Sequence, residues 1–262
     1  MLAYPFEEKR LAKWKLPWLV QYKYNGHRCI AAHTPSDVSL VSSTGLPIKT
    51  VPHIEAALRD MPYGVYDGEL YLHDNFQRLS SLVSPKNPVE GHKEVTYVIF
   101  DQKNEAPQDV RLLSLSLLNP PPSIIIAPSW AVSTMDELSE LLSTSMDSSY
   151  EGVVLREYQA TYKEKRTTTM MKIKPRSSDI YRIVGFAEEI SIHQVPKGTL
   201  GAFWLVDADG ELFKTGSGFN TAQRRDFWQA REQLLGLYAR VKYPALTDRG
   251  VPWSSVFVEV VR

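Results

Sequence analysis

Gln21-Tyr22-Lys23-Tyr24-Asn25-Gly26-His27-Arg28 sets one lysine inside a short aromatic and polar run, with a glycine three residues on and an arginine five residues on. Trp18-Leu19-Val20 precedes it and Cys29-Ile30-Ala31-Ala32 follows, so apolar, strand-like segments flank the lysine on both sides. A lysine so placed can lose part of its hydration. An unperturbed ammonium, with a pKa of ~10.4, keeps its proton almost completely near pH 7. Burial or a neighbouring cation makes the amine available as a nucleophile. Alone, the stretch fits a lysine that snorkels at a strand edge at least as well. Residues further along the chain decide.

The 262 residues suffice for one large domain, or a large and a small one. A hydrophobic content of 43%, with 6 Trp, 13 Tyr and 9 Phe, supplies a core. Thirty basic residues balance thirty acidic ones. A neutral total neither advertises nor excludes a nucleic-acid partner, because local patches govern. The single cysteine, Cys29, rules out an internal disulfide framework and a cysteine-based zinc site, and the six histidines lack metal-ligand spacing. The first ten residues carry no signal-peptide core, and no run approaches the ~18 apolar residues of a membrane span. Composition thus predicts a soluble protein of a reducing compartment.

From Trp18 to Val41 the pattern predicts strand, turn and strand, with the turn at Thr34-Pro35-Ser36-Asp37. A short helix opens at Val51-Pro52, strands are predicted over 64–72 and 95–101, and helical spacing returns at Met135–Leu142. Further strands carry Glu151–Arg156 and Met171–Lys174. Beyond Arg176-Ser177-Ser178-Asp179 the grammar changes. Strands around 183–186, 201–206 and 211–214, the last two joined by an Asp207-Ala208-Asp209-Gly210 turn, precede one helix from Thr221 to Leu235. Strands at 238–243 and 256–261 then complete the element count of a small OB-type barrel. The fold class predicted is α+β, with a domain boundary near Ser178.

Charged residues in these strands mark the chemistry. Asp67 and Glu69 flank Gly68, Glu151 heads an apolar run, and Lys172 and Lys174 flank Ile173, where period-2 alternation would point both ammonium groups to one face. Buried charges cost several kcal/mol each unless paired or bound to a ligand. An ion pair can absorb any one of these sites; four together suggest a phosphate site, with carboxylates for Mg²⁺, lysines for the phosphate and Lys23 to attack it.

The ordered set resembles the covalent nucleotidyltransferases. Lys23-Tyr24-Asn25-Gly26-His27-Arg28 is similar to their K-x-D-G-x-R motif, and Asp67-Gly68-Glu69 to the next. Tyr97-Val98-Ile99-Phe100-Asp101 resembles the adenine-stacking strand, Glu151–Arg156 the E-G-V-hydrophobic-hydrophobic-R motif, and Lys172-Ile173-Lys174 the paired-lysine motif. The segment Phe213-Lys214-Thr215-Gly216-Ser217-Gly218-Phe219, with closing strands at Leu246–Pro252 and Val256–Val261, looks like the OB domain of ATP-dependent DNA ligases. The 22 residues before Lys23 leave no room for the extra domain of an NAD-dependent ligase, so the resemblance implies ATP.

It also implies a nucleotidyltransferase (adenylation) domain of antiparallel sheets with flanking helices over 1–178 and an OB-fold β-barrel over 179–262. Lys23 would form lysyl-AMP, and the AMP would pass to the 5′-phosphate of nicked duplex DNA before the 3′-hydroxyl displaces it. Lys172, Lys174 and Arg28 would act on the α-phosphate and nucleotide, Phe100 would stack on adenine, and Gln21 would read its edge. Glu69 and Glu151 would hold Mg²⁺ or Mn²⁺, and Arg262 would orient the departing pyrophosphate. Asn25, Arg156, Lys163, Lys165, Arg166 and Arg176 would meet DNA. The resemblance implies a monomer with no membrane contact, in the cytoplasm or elsewhere inside a cell, of cellular or viral origin. Rivals are an RNA ligase, an mRNA-capping guanylyltransferase, or an inactive OB-type nucleic-acid binder. Two departures stand out: Asn25 replaces the motif's aspartate, and Ser43 stands where the family often has an arginine.

Overall fold

The computed structural model describes residues 2–174, 177–247 and 249–261. Arg176 and Arg262, both assigned roles from sequence, lie outside the described residues. The chain divides into two compact units. The first takes the chain up to Thr134 and Ser149–Lys172; the second takes Met135–Ser148 and the chain from Ile173 onward.

In chain order the first unit contains β1 (Leu2–Pro5), α1 (Glu8–Leu11), β2 (Trp18–Lys23), β3 (His27–His33), β4 (Val38–Ser42), α2 (Pro52–Leu58), β5 (Gly64–Tyr71) and α3 (Phe76–Val83). It continues with β6 (Thr96–Gln102), α4 (Gln108–Ser116), β7 (Ile124–Ile126), β8 (Ser129–Val132), β9 (Gly152–Glu157) and β10 (Arg166–Ile173), whose last residue passes to the second unit. Two five-stranded sheets result, ordered β1-β10-β9-β2-β8 and β4-β3-β5-β6-β7. Both are antiparallel except where β1 joins β10 and β7 joins β6 in parallel.

Alternation in β3 buries Cys29, Ala31 and His33 and leaves Arg28, Ile30 and Ala32 on the other face. The buried side joins Ile54, Leu58, Tyr66, Leu79, Tyr97 and Leu115 in one core beneath α2, α3 and α4. Leu11 ends a four-residue helix that sequence patterning did not reveal; α3 and α4 were also missed. The α3 start is nonetheless written in the chain, where the Asn75 side chain accepts from the Arg78 amide.

The second unit comprises α5 (Met135–Asp147), β11 (Ser177–Ile190), β12 (Pro196–Val206), β13 (Leu212–Thr215), α6 (Thr221–Gln229), α7 (Arg231–Leu234), β14 (Tyr238–Tyr243), β15 (Ala245–Leu246), β16 (Pro252–Trp253) and β17 (Val256–Val261). Its main sheet runs β13-β12-β11-β14-β17. Among the described residues no strand ladder closes the edges: they meet at the isolated bridge of Ser217 with Val256 and at side-chain bonds between Lys214, Thr215 and Ser255, so the predicted barrel is here an open antiparallel sheet pinned at one end. The Phe257 amide donates to the Ser217 carbonyl at 2.9 Å there. Gly218 makes this crossing possible: its φ is +86°, and a Cβ would sit 2.4 Å from the Phe257 carbonyl. Phe203 then gathers Phe186, Phe219, Phe227 and Phe257 around it, with Phe219 and Phe257 stacked at 4.4 Å.

Three expectations need correction. The single helix over 221–235 is two, because the Ala230 backbone turns out of helical geometry between α6 and α7. Leu246 and Pro252 do not close the sheet; they pair with each other in a separate ribbon. The strand predicted through Lys174 ends one residue earlier, at Ile173, and Lys174 falls in the second unit. Arg224 is spent on the carbonyls of Leu200, Gly201 and Gly216, Arg225 pairs with Asp226, and Arg231 donates to Trp228.

Candidate active site

Register assembles the site within the first unit. Lys23 at the end of β2 lies opposite Gly152, and the Glu151 amide donates to the Lys23 carbonyl at 3.0 Å. The Glu151 carboxylate consequently meets the Lys23 ammonium in an ion pair. On the second sheet Arg28 lies opposite Glu69, and β6 brings Phe100 and Asp101 beside them. Gly26 lets the two motifs approach: a Cβ there would stand 2.2 Å from the Leu70 carbonyl and 2.7 Å from the Glu69 Cγ. Tyrosines either side of Lys23 brace it, with Tyr22 stacked on Tyr150 at 4.4 Å and Tyr24 edge-on to Tyr71 at 5.1 Å.

One cavity of about 200 Å³ is lined by Gln21, Lys23, Arg28, Glu69, Phe100, Arg156 and Lys172, with apolar wall from Val154 and Met170. Six residues from five separate sequence motifs, together with Gln21, therefore share one hollow. Lys23 is 23% exposed and paired, not the stripped amine suggested by its apolar flanks. Attack on phosphorus needs a lone pair, so this pair must open first.

Arg28 grips Asp67 with two bonds, Nε to Oδ1 at 2.9 Å and the second nitrogen to Oδ2 at 2.6 Å, and the Tyr162 hydroxyl donates to the same carboxylate at 2.8 Å. Burial pushes the Glu69 carboxyl up to about 7, against the opposing pull of Lys23 and Arg28. Among the described residues no three His, Cys, Asp or Glu gather into a metal cage. Glu69 and Glu151 still fit Mg²⁺, which keeps most of its waters and shares its few protein carboxylates with substrate phosphates. Glu69 is the better argument: a carboxylate costly to ionise where it stands gains most from a cation.

Arg156 turns out differently from its sequence reading, and Gln21 keeps its place on the cavity wall. Arg156, taken as a DNA contact, is 3% exposed, donating to Gln21 at 2.9 Å and to Asp101 at 3.0 Å. Burial excludes it from a surface that tracks a phosphate backbone. Gln21 is 1% exposed, with its amide bonded to the Phe100 carbonyl and the Ser129 hydroxyl, both at 3.0 Å. Sequence reasoning passed over Asp101 and Arg111 as functional residues. Arg111 is fully buried and donates to Asp101 at 2.8 and 3.2 Å. Its signal was an arginine among the leucines of an amphipathic helix. Asn25 is exposed and lines a neighbouring cavity with Tyr71, Asp74 and Ser149, while Lys163, Lys165 and Arg166 lie exposed on the first unit.

A lysine at a strand end, carboxylates beside it, an aromatic wall and further cations define a covalent nucleotidyltransferase site. The chain belongs to the ATP-dependent DNA ligases: a model of the ATP-dependent DNA ligase domain matches residues 1–174, and one of the DNA ligase OB-like domain matches 194–260. This family forms phosphodiester bonds at DNA nicks through an adenylate intermediate, at the expense of ATP. A DNA ligase of Haemophilus influenzae is 26% identical over 203 residues, which span 74% of this chain and 71% of that one. The multifunctional non-homologous end joining protein LigD of Pseudomonas aeruginosa is 25% identical over 90% of this chain, which spans only 30% of that protein. The solved Chlorella virus DNA ligase-adenylate shares the fold with a TM-score of 0.72 and 22% identity, covering 100% of this chain and 97% of that one. No helix among the described residues is long and apolar enough to cross a membrane.

Proposed function

We propose that this chain acts as a monomer on nicked duplex DNA inside a cell, with residues 1–178 as adenylation domain and 179–262 as OB domain, and that Lys23 is its nucleophile. The observation that carries the reading is the convergence of Gln21, Lys23, Arg28, Glu69, Phe100 and Lys172 on one cavity, with Glu151 at the lysine. The Lys23 Nζ attacks the α-phosphorus of ATP; a P–N bond forms, the bond to the β-phosphate bridging oxygen breaks, and pyrophosphate leaves. The amine loses its proton in the process, for which the partner carboxylate Glu151 is the nearest acceptor. Lys172 and Arg28, both on the cavity wall, take up charge on the phosphate, and Lys174 and Arg262 keep the supporting roles expected from the motifs. The Phe100 ring offers the base a stacking face. Mg²⁺ or Mn²⁺ held by Glu69 and Glu151 would neutralise the phosphates as a Lewis acid. AMP then passes to the 5′-phosphate, and the 3′-hydroxyl displaces it, with Asn25 beside the nucleophile to hydrogen-bond that hydroxyl. Exposed Lys163, Lys165 and Arg166, with Arg176, provide phosphate contacts that do not read sequence.

Intact-mass measurement after ATP and Mg²⁺ tests the assignment. Wild type should gain one AMP; Lys23→Ala should gain none, and neither should Lys23→Arg, because a guanidinium is effectively never neutral. An adduct of normal yield on either variant would remove Lys23 from the mechanism. Sealing of nicked duplex, set against joining of single-stranded RNA, checks the substrate.

A further inference from the structure

Asn25 stands where the nucleophile motif carries a carboxylate, and the hollow it borders holds one from another part of the chain. That hollow, of about 270 Å³, lies within the first unit and has Asn25, Tyr71, Asp74 and Ser149 in its wall. Two aromatic contacts set the loop after β5 against the turn after Lys23. Tyr71 meets Tyr24 edge-on at 5.1 Å, and Phe76 stacks on His27 at 5.3 Å. A contact of 3.0 Å between His27 Nε2 and the Ser80 hydroxyl fixes the second clamp. Asn25 lies between the clamped residues of one segment, and Asp74 between those of the other.

The backbone around this hollow is strained. Among the described residues four other than glycine hold a positive φ, and two of them line it, Asp74 at +51° and Ser149 at +60°. Glycine would occupy both positions without strain. The chain instead keeps a carboxylate and a hydroxyl there, and strain of this kind gathers where a ligand is handled. The rest of the wall takes up no proton. Asn25, Asn75 and Gln77 end in amides, and Asn75 already accepts from the Arg78 amide. The Tyr71 hydroxyl is bonded to His73 Nδ1 at 2.7 Å, and burial pushes its pKa up to about 12. Of the lining residues only Asp74 carries a carboxylate.

We propose that Asp74 is a catalytic residue of nick closure, supplying from the loop after β5 the carboxylate that the nucleophile motif lacks at Asn25. This rests on the reading that the chain closes adenylylated nicks and that Asn25 meets the 3′-hydroxyl. Asn25 and Ser149 orient that hydroxyl by hydrogen bonds. Its oxygen attacks the 5′-phosphorus and a P–O bond forms. The anhydride bond from that phosphorus to AMP breaks, and AMP leaves with the electron pair. The hydroxyl proton passes to the Asp74 carboxylate.

The test uses the full chain and a duplex whose nick already carries AMP on its 5′-phosphate, with single-turnover sealing compared against lysyl-AMP formation from ATP. Asp74→Asn removes the charge and suits the left-handed backbone, so the fold should persist. Sealing should slow at least about a hundredfold. Lysyl-AMP formation, which involves no 3′-hydroxyl, should fall by no more than about threefold. Adding Asn25→Asp returns a carboxylate to the hollow from its other side and should recover at least about tenfold of the lost sealing. A merely structural Asp74 would show no such rescue. Should Asp74→Asn fail to fold, Asp74→Gly, which suits the same backbone, takes its place in both arms. Sealing at the wild-type rate, sealing and adenylylation that fall together, or a double variant that recovers nothing overturns the inference alone. A wild-type protein that forms lysyl-AMP yet leaves the adenylylated nick open overturns the nick-sealing reading and this inference with it.

Discussion

Gly26→Ala is the smallest change that should damage the site. A methyl group at that position would lie 2.2 Å from the Leu70 carbonyl oxygen and 2.7 Å from the Glu69 Cγ, both far inside contact distance. The first obstacle is backbone near the end of β5, paired with His27 of β3, and cannot rotate away. Either the turn after Lys23 lifts or β5 shifts, and each route moves Glu69 relative to Lys23. Overpacking of this kind costs about 1–3 kcal/mol, which in a protein of this size lowers Tm by roughly 2–12 °C. A displacement near 1 Å between a nucleophile and its surrounding charges costs on the order of a hundredfold in rate. Single-turnover formation of the AMP adduct and a thermal melt measure both. Gly185→Ala serves as a control, because its methyl would meet Trp204 at an ordinary 3.4 Å. Wild-type adenylylation by a Gly26→Ala protein with wild-type Tm would refute the close approach of the two motifs.

Arg111→Met removes one of the two cations on the fully buried Asp101 and leaves Arg156 as the other, and should destabilise the fold by about 1–3 kcal/mol in denaturant titration; no measurable loss would mean Arg156 and the Gln102 amide satisfy Asp101 alone. Asn25→Asp should leave sealing of a pre-adenylylated nick unchanged or faster, since the exposed side chain has room for a carboxylate; loss of sealing would show a pocket built around a neutral amide. Nick affinity should fall steeply between low and ~200 mM salt, because phosphate contacts release counterions. An affinity flat over that range would point to another mode of grip.

The sequence and the structure agree best where local pattern and chemistry coincide. Lys23, Glu69, Phe100 and Lys172 sit in strands whose alternation is plain in the chain and line the same cavity, and Glu151 stands just ahead of a fifth strand. The partners of these residues were harder to see. Arg111 lies in a helix with no strong stop or start signal, and its tie to Asp101 depends on how α4 packs on β6. Arg156 was legible as a motif residue and assigned to DNA, because spacing says nothing about which arginine finds a buried acid. Gln21 was assigned to the base pocket from its place two residues before the lysine; its pinned orientation depends on three neighbours from distant segments. The OB strands followed from turn chemistry at Asp207–Gly210, where the Asp207 carboxylate caps the Asp209 and Glu211 amides. Closure at Ser217 and Val256 required the tertiary crossing that Gly218 permits.

The paired arginines on Asp101 bear on how this sequence can drift over generations. Replacing Asp101 strands two buried guanidinium groups, and replacing either arginine takes from Asp101 hydrogen bonds that the other does not supply, so each single step weakens the fold. Replacing all three with apolar side chains of matching size need cost the fold nothing. The three codons are thus free to change together and blocked from changing singly. Gln21 extends that constraint to the wall of the cavity, because the last arginine cannot leave without releasing it.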